Sequence, residues 1–474
     1  MAGTFLIGEQ KTRPGVYYRR ERAGYTVEGA TNGILACIFQ SNWGPLNKEF
    51  DVDVTMMNDL EDYYGDGATI IREGLIGGAT TVRCVRVGSE DGTCSSVMLK
   101  TVANGGTAGT NAVEILAKYQ GNRSFTVSVR TNLITDKRQL QIYDGTKIFT
   151  SVEFKSGGDE AQSLVDAMAN NRYFKARKFA AGVLADVTQA QLTGGTNPEV
   201  STSSYDKGTN ILERYSWNCI VADSDDSAVI GILNAFVKQS YETGHLGFSC
   251  VAGGTSSGDL DSKISLAASY NDEKVVYVLN GWIANDGTVY DGWQAAARIG
   301  GMIAGCETNV SLTHNVISDA LELTVPLTNG EIIRAEQNGC LVLSTNANGQ
   351  VWIDNAINTL VTENANMDAG WKKIRRTKTR FELMDRINRT HDRLVGNINN
   401  DENGRATVVA AAQRIINEMV GEGKLVFGSY VEEDPAHPAE GDSAWFKLHI
   451  LDNDSMEKIY LTYVFRYNQT FDAA

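Results

Sequence analysis

A Gly254-Thr255-Ser256 triplet, set after an apolar run, is the nearest this chain comes to presenting a nucleophile. Serine is a poor nucleophile unless a histidine takes its proton and an acid orients that histidine. None of His245, His314, His391, His437 and His449 stands in a His-Gly-Thr context, and no Asp-Thr-Gly or Asp-Ser-Gly segment precedes them. A Gly/Ser loop accounts for the triplet, and no catalytic residue is expected. The glycine pairs Gly105-Gly106, Gly157-Gly158 and Gly253-Gly254 lack both P-loop and dinucleotide-binding spacing, so they read as turns and imply no cofactor. His437 lies near Glu432, Glu433, Asp434 and Asp442, but without the fixed spacing of a metal set; a solvated loop is expected there.

The most concentrated charge is the run Lys372, Lys373, Arg375, Arg376, Lys378, Arg380. Trp371, Ile374, Phe381, Met384, Ile387 and Leu394 recur at helical spacings of three and seven, which gives a helix with one face to bury. The cations are then expected on the remaining surface, free to attract an acidic partner. The opposite character marks the ends. Ile459, Leu461, Tyr463 and Phe465 alternate at period two, and Val16, Tyr17 and Tyr18 follow Pro14 in an extended-looking N-terminal stretch. Strands with open edges invite pairing with another chain.

The chain has 474 residues, enough for two to four domains. Its net charge of −15 argues against non-specific nucleic-acid binding by the whole surface and favours solubility or a cationic partner. With 47 glycines against 6 prolines, turns and close backbone approaches are expected rather than stiff linkers. The seven cysteines are scattered and sit in or beside apolar runs, as reduced core residues of a protein made in a reducing cytoplasm would. No apolar run approaches the roughly 20 residues of a membrane-spanning helix, and no secretory signal core opens the sequence, so no membrane insertion is expected.

The elements that must carry these features follow from periodicity. Residues 1–30 form an N-terminal arm. Residues 31–92 and 205–340 alternate short apolar strands with amphipathic helices, the grammar of an α/β core. Residues 93–204 hold several short alternating segments separated by turns such as Asp144-Gly145, a β-rich insertion with one helix at 160–170. Residues 341–458 form an α+β C-terminal domain: two short strands, a helix over 368–394, another over 405–420, and strands at 425–429, 444–451 and 457–467. The Asp452-Asn-Asp-Ser455 turn is expected to make the last two a hairpin. Residues 459–474 form the C-terminal arm strand.

Several segments, in order, resemble the tail sheath proteins of contractile phage tails and related bacteriocins, most closely the shorter sheaths of Gram-positive prophages. They are Arg13-Pro-Gly-Val-Tyr17; Gly77-Gly-Ala-Thr-Thr-Val-Arg-Cys-Val-Arg-Val87; Tyr119-Gln-Gly-Asn122 with Phe125-Thr-Val-Ser-Val129; and Leu192-Thr-Gly-Gly195. Ser269-Tyr-Asn-Asp-Glu-Lys-Val-Val-Tyr-Val278, Ile357-Asn-Thr-Leu360, Lys373-Ile-Arg-Arg376 and Val395-Gly-Asn-Ile-Asn-Asn-Asp401 continue the series. The Arg-Gly-Val-Trp-Lys-Ala-Pro-type and Gly-Ala-Arg-Thr-Leu segments of many larger sheaths are absent.

The resemblance implies a subtilisin-like α/β core without its triad, which would explain the orphan Gly254-Thr-Ser256. It also implies a homo-oligomer of hexameric rings in a six-start helical sheath, wrapped on an inner tail tube protein, meeting baseplate and tail terminator proteins, with no direct nucleic-acid contact. Such a particle would assemble in the bacterial cytoplasm and leave as part of a phage virion or phage-tail-like particle. In such sheaths, N- and C-terminal arms from neighbours add strands to a third subunit's C-terminal sheet. Val16, Tyr17, Tyr18, Ile459, Leu461, Tyr463 and Phe465 would be the arm residues here, with hinges at Gly24, Gly29 and Gly33. Lys372, Lys373, Arg375, Arg376 and Lys378 would dock on the tube. The rival readings are a hydrolase built on the same core and a non-contractile self-assembling shell protein.

Overall fold

A computed structural model describes residues 3–4, 17–18, 32–102, 109–253, 258–363 and 367–465, with backbone alone at 3–4 and 17–18. The Gly254–Ser256 triplet, Val16, Gly24 and Gly29 lie outside the described residues.

The apolar runs read as buried strands form one seven-stranded sheet. Its order is Cys340–Leu341, Val275–Val278, Phe248–Ala252, Cys219–Ala222, Ile34–Phe39, Thr81–Arg86 and Glu49–Asp53. All neighbours are parallel except the last pair, in which Glu49–Asp53 runs antiparallel to Thr81–Arg86. Parallel strands are covered on both faces, which is why these segments are nearly continuous in apolar residues. One face carries the helices Ala68–Gly77 and Trp293–Gly305. The other carries Thr202–Leu212, Ser227–Glu242, Leu260–Tyr270 and Asn329–Gln337. Glu49–Asp53 was not anticipated: its Glu-Phe-Asp-Val-Asp pattern buries Val52 fully and leaves the acidic side chains at the rim, as suits an edge strand.

The division expected between residues 340 and 341 is corrected. It falls inside Cys340–Leu341, a strand of the central sheet. The next hairpin, Leu343–Thr345 with Val351–Ile353, and Ile374 and Phe381 beyond it belong to the same buried cluster. Apolar contacts therefore run without a break from the core into the C-terminal third.

Helices Ala68–Gly77 and Trp293–Gly305 meet backbone to backbone. A Cβ at Gly301 would lie 2.2 Å from the carbonyl oxygen of Gly74, and one at Gly77 would lie 2.4 Å from that of Arg298. Beside this crossing the Arg298 guanidinium, almost fully buried, bonds Glu73 at 2.7 Å and Asp319 at 2.8 Å. Burial pushes the Glu73 carboxyl up, and the Arg298 contact opposes it without restoring the ordinary value.

The insertion leaves after Thr81–Arg86 and returns just before Thr202–Leu212. It contains a four-stranded sheet, Lys147–Phe154, Lys137–Asp144, Phe125–Asn132 and Val187–Gln191, and a three-stranded one, Phe174–Lys178, Asn111–Ala117 and Ser96–Lys100. The Glu160–Met168 helix packs its Ala161, Leu164 and Met168 into the core between them. Two core residues fasten it. Trp43 sits fully buried among Tyr119, Phe125, Phe149 and Phe174, with ring centroids 4.9 to 6.3 Å away. Arg86, also fully buried, donates to the carbonyls of Ser41, Gly44 and Gln120 at 2.7 to 2.9 Å. Burial without a carboxylate in contact lowers its pKa to about 10.

In the C-terminal third the helices Ile374–His391 and Glu402–Gly421 pack on each other through Leu383, Ile415, Ile416 and Met419. Among the described residues no strand forms at 425–429 or 457–465; Leu425 makes only an isolated antiparallel bridge with Asp452. Instead Tyr430–Glu433 pairs antiparallel with Phe446–His449. The Asp452–Ser455 stretch is no hairpin turn: the backbone of 451–453 pairs with 424–426, and no strand follows at 457–465.

Substituting Gly301 by alanine should force the two helices apart and lower stability by about 1–3 kcal/mol in urea unfolding. Gly330→Ala, where the new methyl meets nothing within 4 Å, should change it by less than about 0.5 kcal/mol.

Candidate functional site

The basic helix begins after a short 3₁₀ turn, Ala369–Lys372, capped by the Asp368 side chain, which accepts from the Gly370 amide. Phe381 packs on Phe248 of the central sheet with ring centroids 5.2 Å apart. Leu383 and Ile387 face the Glu402–Gly421 helix. Apolar side chains on both flanks wedge the helix between two cores, so its polar residues cannot all reach water. Arg375, Thr377, Lys378, Thr379, Glu382 and Arg386 are buried along with Ile374 and Phe381.

This corrects the expectation that Lys372, Lys373, Arg375, Arg376 and Lys378 stand unpaired on a solvated face of the helix. Each is spent within the chain. Lys372 Nζ donates to the Gln337 carbonyl at 3.2 Å, and burial lowers its pKa. Lys373 Nζ bonds the Glu457 carboxylate and donates to Asn355 Oδ1 at 2.8 Å. Arg375 donates to the carbonyls of Asn309 at 2.9 Å and Asn453 at 2.6 Å, with Asp454 at 3.5 Å. Arg376 makes a bidentate pair with Asp452, both contacts 2.8 Å, and Arg380 bonds the same carboxylate at 3.1 Å and Asp368 at 3.2 Å. Lys378 Nζ donates to the carbonyls of Ile303 and Cys306, both at 2.6 Å. Charged side chains are buried almost only when paired; here Lys373, Arg375, Arg376 and Arg380 meet carboxylates 72 to 84 positions later in the chain, while Lys372 and Lys378 meet carbonyls earlier in it.

The acids respond as a lock requires. Burial pushes the Asp452 carboxyl up, but the hydrogen bonds and charges of Arg376 and Arg380 outweigh it, and the group sits below its ordinary value. Glu457 is likewise raised by burial and lowered further by Lys373, Ser311 and Thr313, leaving it depressed. A second cluster holds the other end of the helix: Glu382 receives Lys424 at 2.8 Å and also bonds Arg386 and Thr308, while Arg386 pairs with Glu422 at 2.9 Å. A different group titrates near neutrality. Glu336 is pushed to about 7 by burial, against a hydrogen bond from Asn355 and with Asp354 beside it adding to the rise.

Beyond Glu457 the chain emerges. Ile459 is 68%, Tyr463 72% and Phe465 91% exposed, and none of residues 457–465 is in a strand. The Tyr463 and Phe465 rings stack at 6.1 Å, so the alternation does put these side chains on one side of an extended backbone. Elsewhere in the C-terminal third, the Tyr430–Glu433 and Phe446–His449 pair has no third strand among the described residues, and the Val431 amide donates to Gln413 Oε1 at 3.2 Å. At the other terminus Tyr17–Tyr18 pairs parallel with Gly3–Thr4 of the same chain. Gly33, expected to hinge, is pinned: its amide donates to the Ala304 carbonyl at 3.0 Å and its own carbonyl accepts from the Thr80 and Thr81 amides.

Period-two alternation marked Ile459, Leu461, Tyr463 and Phe465, and the structure leaves all four exposed and outside any strand. The lock was missed because local spacing shows only which helix face is apolar, not whether distant acids will cover the other. The clustered acids Asp452, Asp454 and Glu457 were the available signal, and they were read as a turn.

Comparison with known proteins gives one consistent likeness. Residues 198–359 match the model of the phage tail sheath protein central domain. The phage-like element PBSX protein XkdK of Bacillus subtilis strain 168 is 23% identical over 403 residues, covering 81% of this chain and 80% of that protein. The crystal structure of a sheath tail protein from Desulfitobacterium hafniense superposes with a TM-score of 0.71 at 19% identity, covering 93% of this chain and all of that one. The helical sheath of the anti-feeding prophage, in its contracted state, matches with a TM-score of 0.56 at 9% identity, covering 96% and 99% of the two chains.

The pH dependence follows with its sign. Asp452 and Glu457, depressed in the fold, contribute stability that is present above their unfolded values of about 4 and is lost as pH falls through the folded ones. Glu336, raised, contributes stability that is present below about 4.3 and lost as pH rises towards its folded value. Denaturant unfolding should therefore be most favourable to the native state near pH 5. Glu336→Gln should flatten the decline between pH 5 and 7, and Asp452→Asn the decline on the acid side. Asp452→Ala at pH 5 should cost about 2–3 kcal/mol, below the 3–5 kcal/mol of a fully buried pair because Arg376 and Arg380 keep some contact with water.

Proposed function

We propose that this relative of the phage tail sheath proteins is a structural subunit of a contractile tail sheath, which polymerises helically around an inner tube and contracts to drive the tube through a cell envelope. The observation that carries the proposal is the exposed apolar Ile459–Phe465 segment, together with a C-terminal sheet of only two strands among the described residues, in a chain whose fold follows known sheath proteins over nearly its whole length. An extended apolar segment left in water is costly, and an edge without a neighbour leaves main-chain donors and acceptors open. Strand addition between copies satisfies both, with backbone hydrogen bonds supplying affinity and alternate side chains supplying register.

In this reading Ile459, Leu461, Tyr463 and Phe465, with Val16, Tyr17 and Tyr18 from another copy, extend a neighbour's C-terminal sheet. The N-terminal hinge lies before Asn32, since Gly33 is fixed in the core. The subunit forms hexameric rings stacked in a helix, and the sheath meets a baseplate below and a terminator above. Contact with the inner tube falls to surfaces other than the Lys372–Lys378 cations. The central sheet, six parallel strands with one antiparallel edge, is the feature that favours a subtilisin-like core in the finer classification. The role is mechanical, with no substrate: contraction draws on surface buried between subunits. Assembly takes place in the bacterial cytoplasm, and the sheath leaves the cell within a phage virion or phage-tail-like particle.

Deleting residues 1–22, or 459–474, should leave a folded monomer, with far-ultraviolet dichroism and a cooperative melt like the full chain's, that forms no long sheaths. Negative-stain micrographs of either truncation showing tubes of normal length would contradict the arm exchange.

A further inference from the structure

Asn32 and Gly33, which open the core, and residues 452–457, which precede the exposed C-terminal segment, converge on the surroundings of the Ile374–His391 helix. At the N-terminal root, Asn32 Nδ2 donates to the Cys306 carbonyl at 3.2 Å and the Gly33 amide to that of Ala304 at 3.0 Å. Lys378 reaches the same place from the other side, donating to the carbonyls of Ile303 and Cys306. These are the last carbonyls of the Trp293–Gly305 helix, which that helix cannot itself satisfy and which favour a cation. Within a turn or so of Lys378, Lys373, Arg375, Arg376 and Arg380 hold residues 452–457.

The 452–457 segment has no apolar anchor. Its only large apolar side chain, Met456, is 81% exposed. The backbone contributes little more, with the Val426 amide donating to the Leu451 carbonyl at 2.7 Å and the Asn453 amide to that of Lys424 at 3.1 Å. Hydrophobic burial therefore does not hold this stretch in place; the paired charges do.

We propose that the helix is a load-bearing bridge between the two arms. Asp452, Asp454 and Glu457 bolt the C-terminal strand to it, so that the strand pivots at Lys458 instead of peeling back into the subunit. Tension from a neighbour then passes through one turn of helix to Lys378 and the root of the N-terminal arm. The mechanical part rests on the sheath reading above; the anchor itself does not.

Hydrogen exchange on the purified full-length chain tests the anchor without any polymer. In Asp452→Asn/Glu457→Gln the Val426 and Asn453 amides should exchange at least about tenfold faster than in the wild type, as local opening costs less, while amides of the central strands keep their protection. Swapping the partners, Lys373→Glu with Glu457→Lys, should restore slower exchange relative to Glu457→Lys alone. Unchanged exchange at Val426 and Asn453 in the double variant, or no recovery in the swap, would overturn the anchor. In polymers subjected to the same shear, the double variant should fragment to tubes several-fold shorter than the wild type's. Equal lengths would overturn the load-bearing role, whereas a wild-type chain that forms no tubes at all would overturn the sheath reading and leave the exchange result standing.

Discussion

The pairing of Asp452 with Arg376 and Arg380 is the interaction on which the layout of the C-terminal third depends. Those guanidinium groups belong to a helix wedged between two apolar cores, where an unpaired charge would cost several kcal/mol. The carboxylates that neutralise them must come from somewhere, and they come from residues 452–457, just before the exposed terminal segment. The helix can therefore be buried only if residues 452–457 lie along it, and once they do, residues 458–465 are directed away from the subunit. A pair of this kind adds less net stability than an apolar contact of equal size, but it tolerates fewer alternative placements. A donated strand needs that: its root fixed, its length free.

The rest of the molecule gives that root something rigid to stand on. Glycine contacts bring the Ala68–Gly77 and Trp293–Gly305 helices together with no side chains between them. Trp43 and Arg86 seat the insertion against the core with aromatic packing and three carbonyl hydrogen bonds. Both devices are short-ranged and unforgiving of small shifts, so they hold the core and the insertion together as one body. The Gly33 amide and carbonyl, both engaged, extend the same rigidity to the first residues after the N-terminal arm.

How much was legible in the sequence depended on how local the determining contacts were. The Ile34–Phe39 strand, the Ser227–Glu242 helix and the β-rich character of the insertion follow from periodicity within a dozen residues, and the structure agrees. The Glu49–Asp53 edge strand was hidden because it pairs with a strand about 30 residues on and buries a single valine. The basic helix was placed correctly in sequence and wrongly in space. Helical spacing identifies Ile374 and Phe381 as buried, but nothing within the helix reveals that Asp452 and Glu457 cover its charged side. The expected terminal hairpin failed for a similar reason, since the backbone of residues 451–453 pairs with 424–426, about 27 positions earlier, rather than turning back on itself.

The central claim, that Ile459–Phe465 is a strand given to a neighbouring copy, is tested most directly by a helical reconstruction of polymers assembled from the purified chain, at a resolution that traces the backbone. The account predicts main-chain density for residues 459–465 continuing from the 452–457 lock into hydrogen-bonding distance of a free edge of the Tyr430–Glu433 and Phe446–His449 sheet of a different subunit. Density showing the segment folded back on its own subunit, or unpaired between subunits of an otherwise ordered tube, would contradict it.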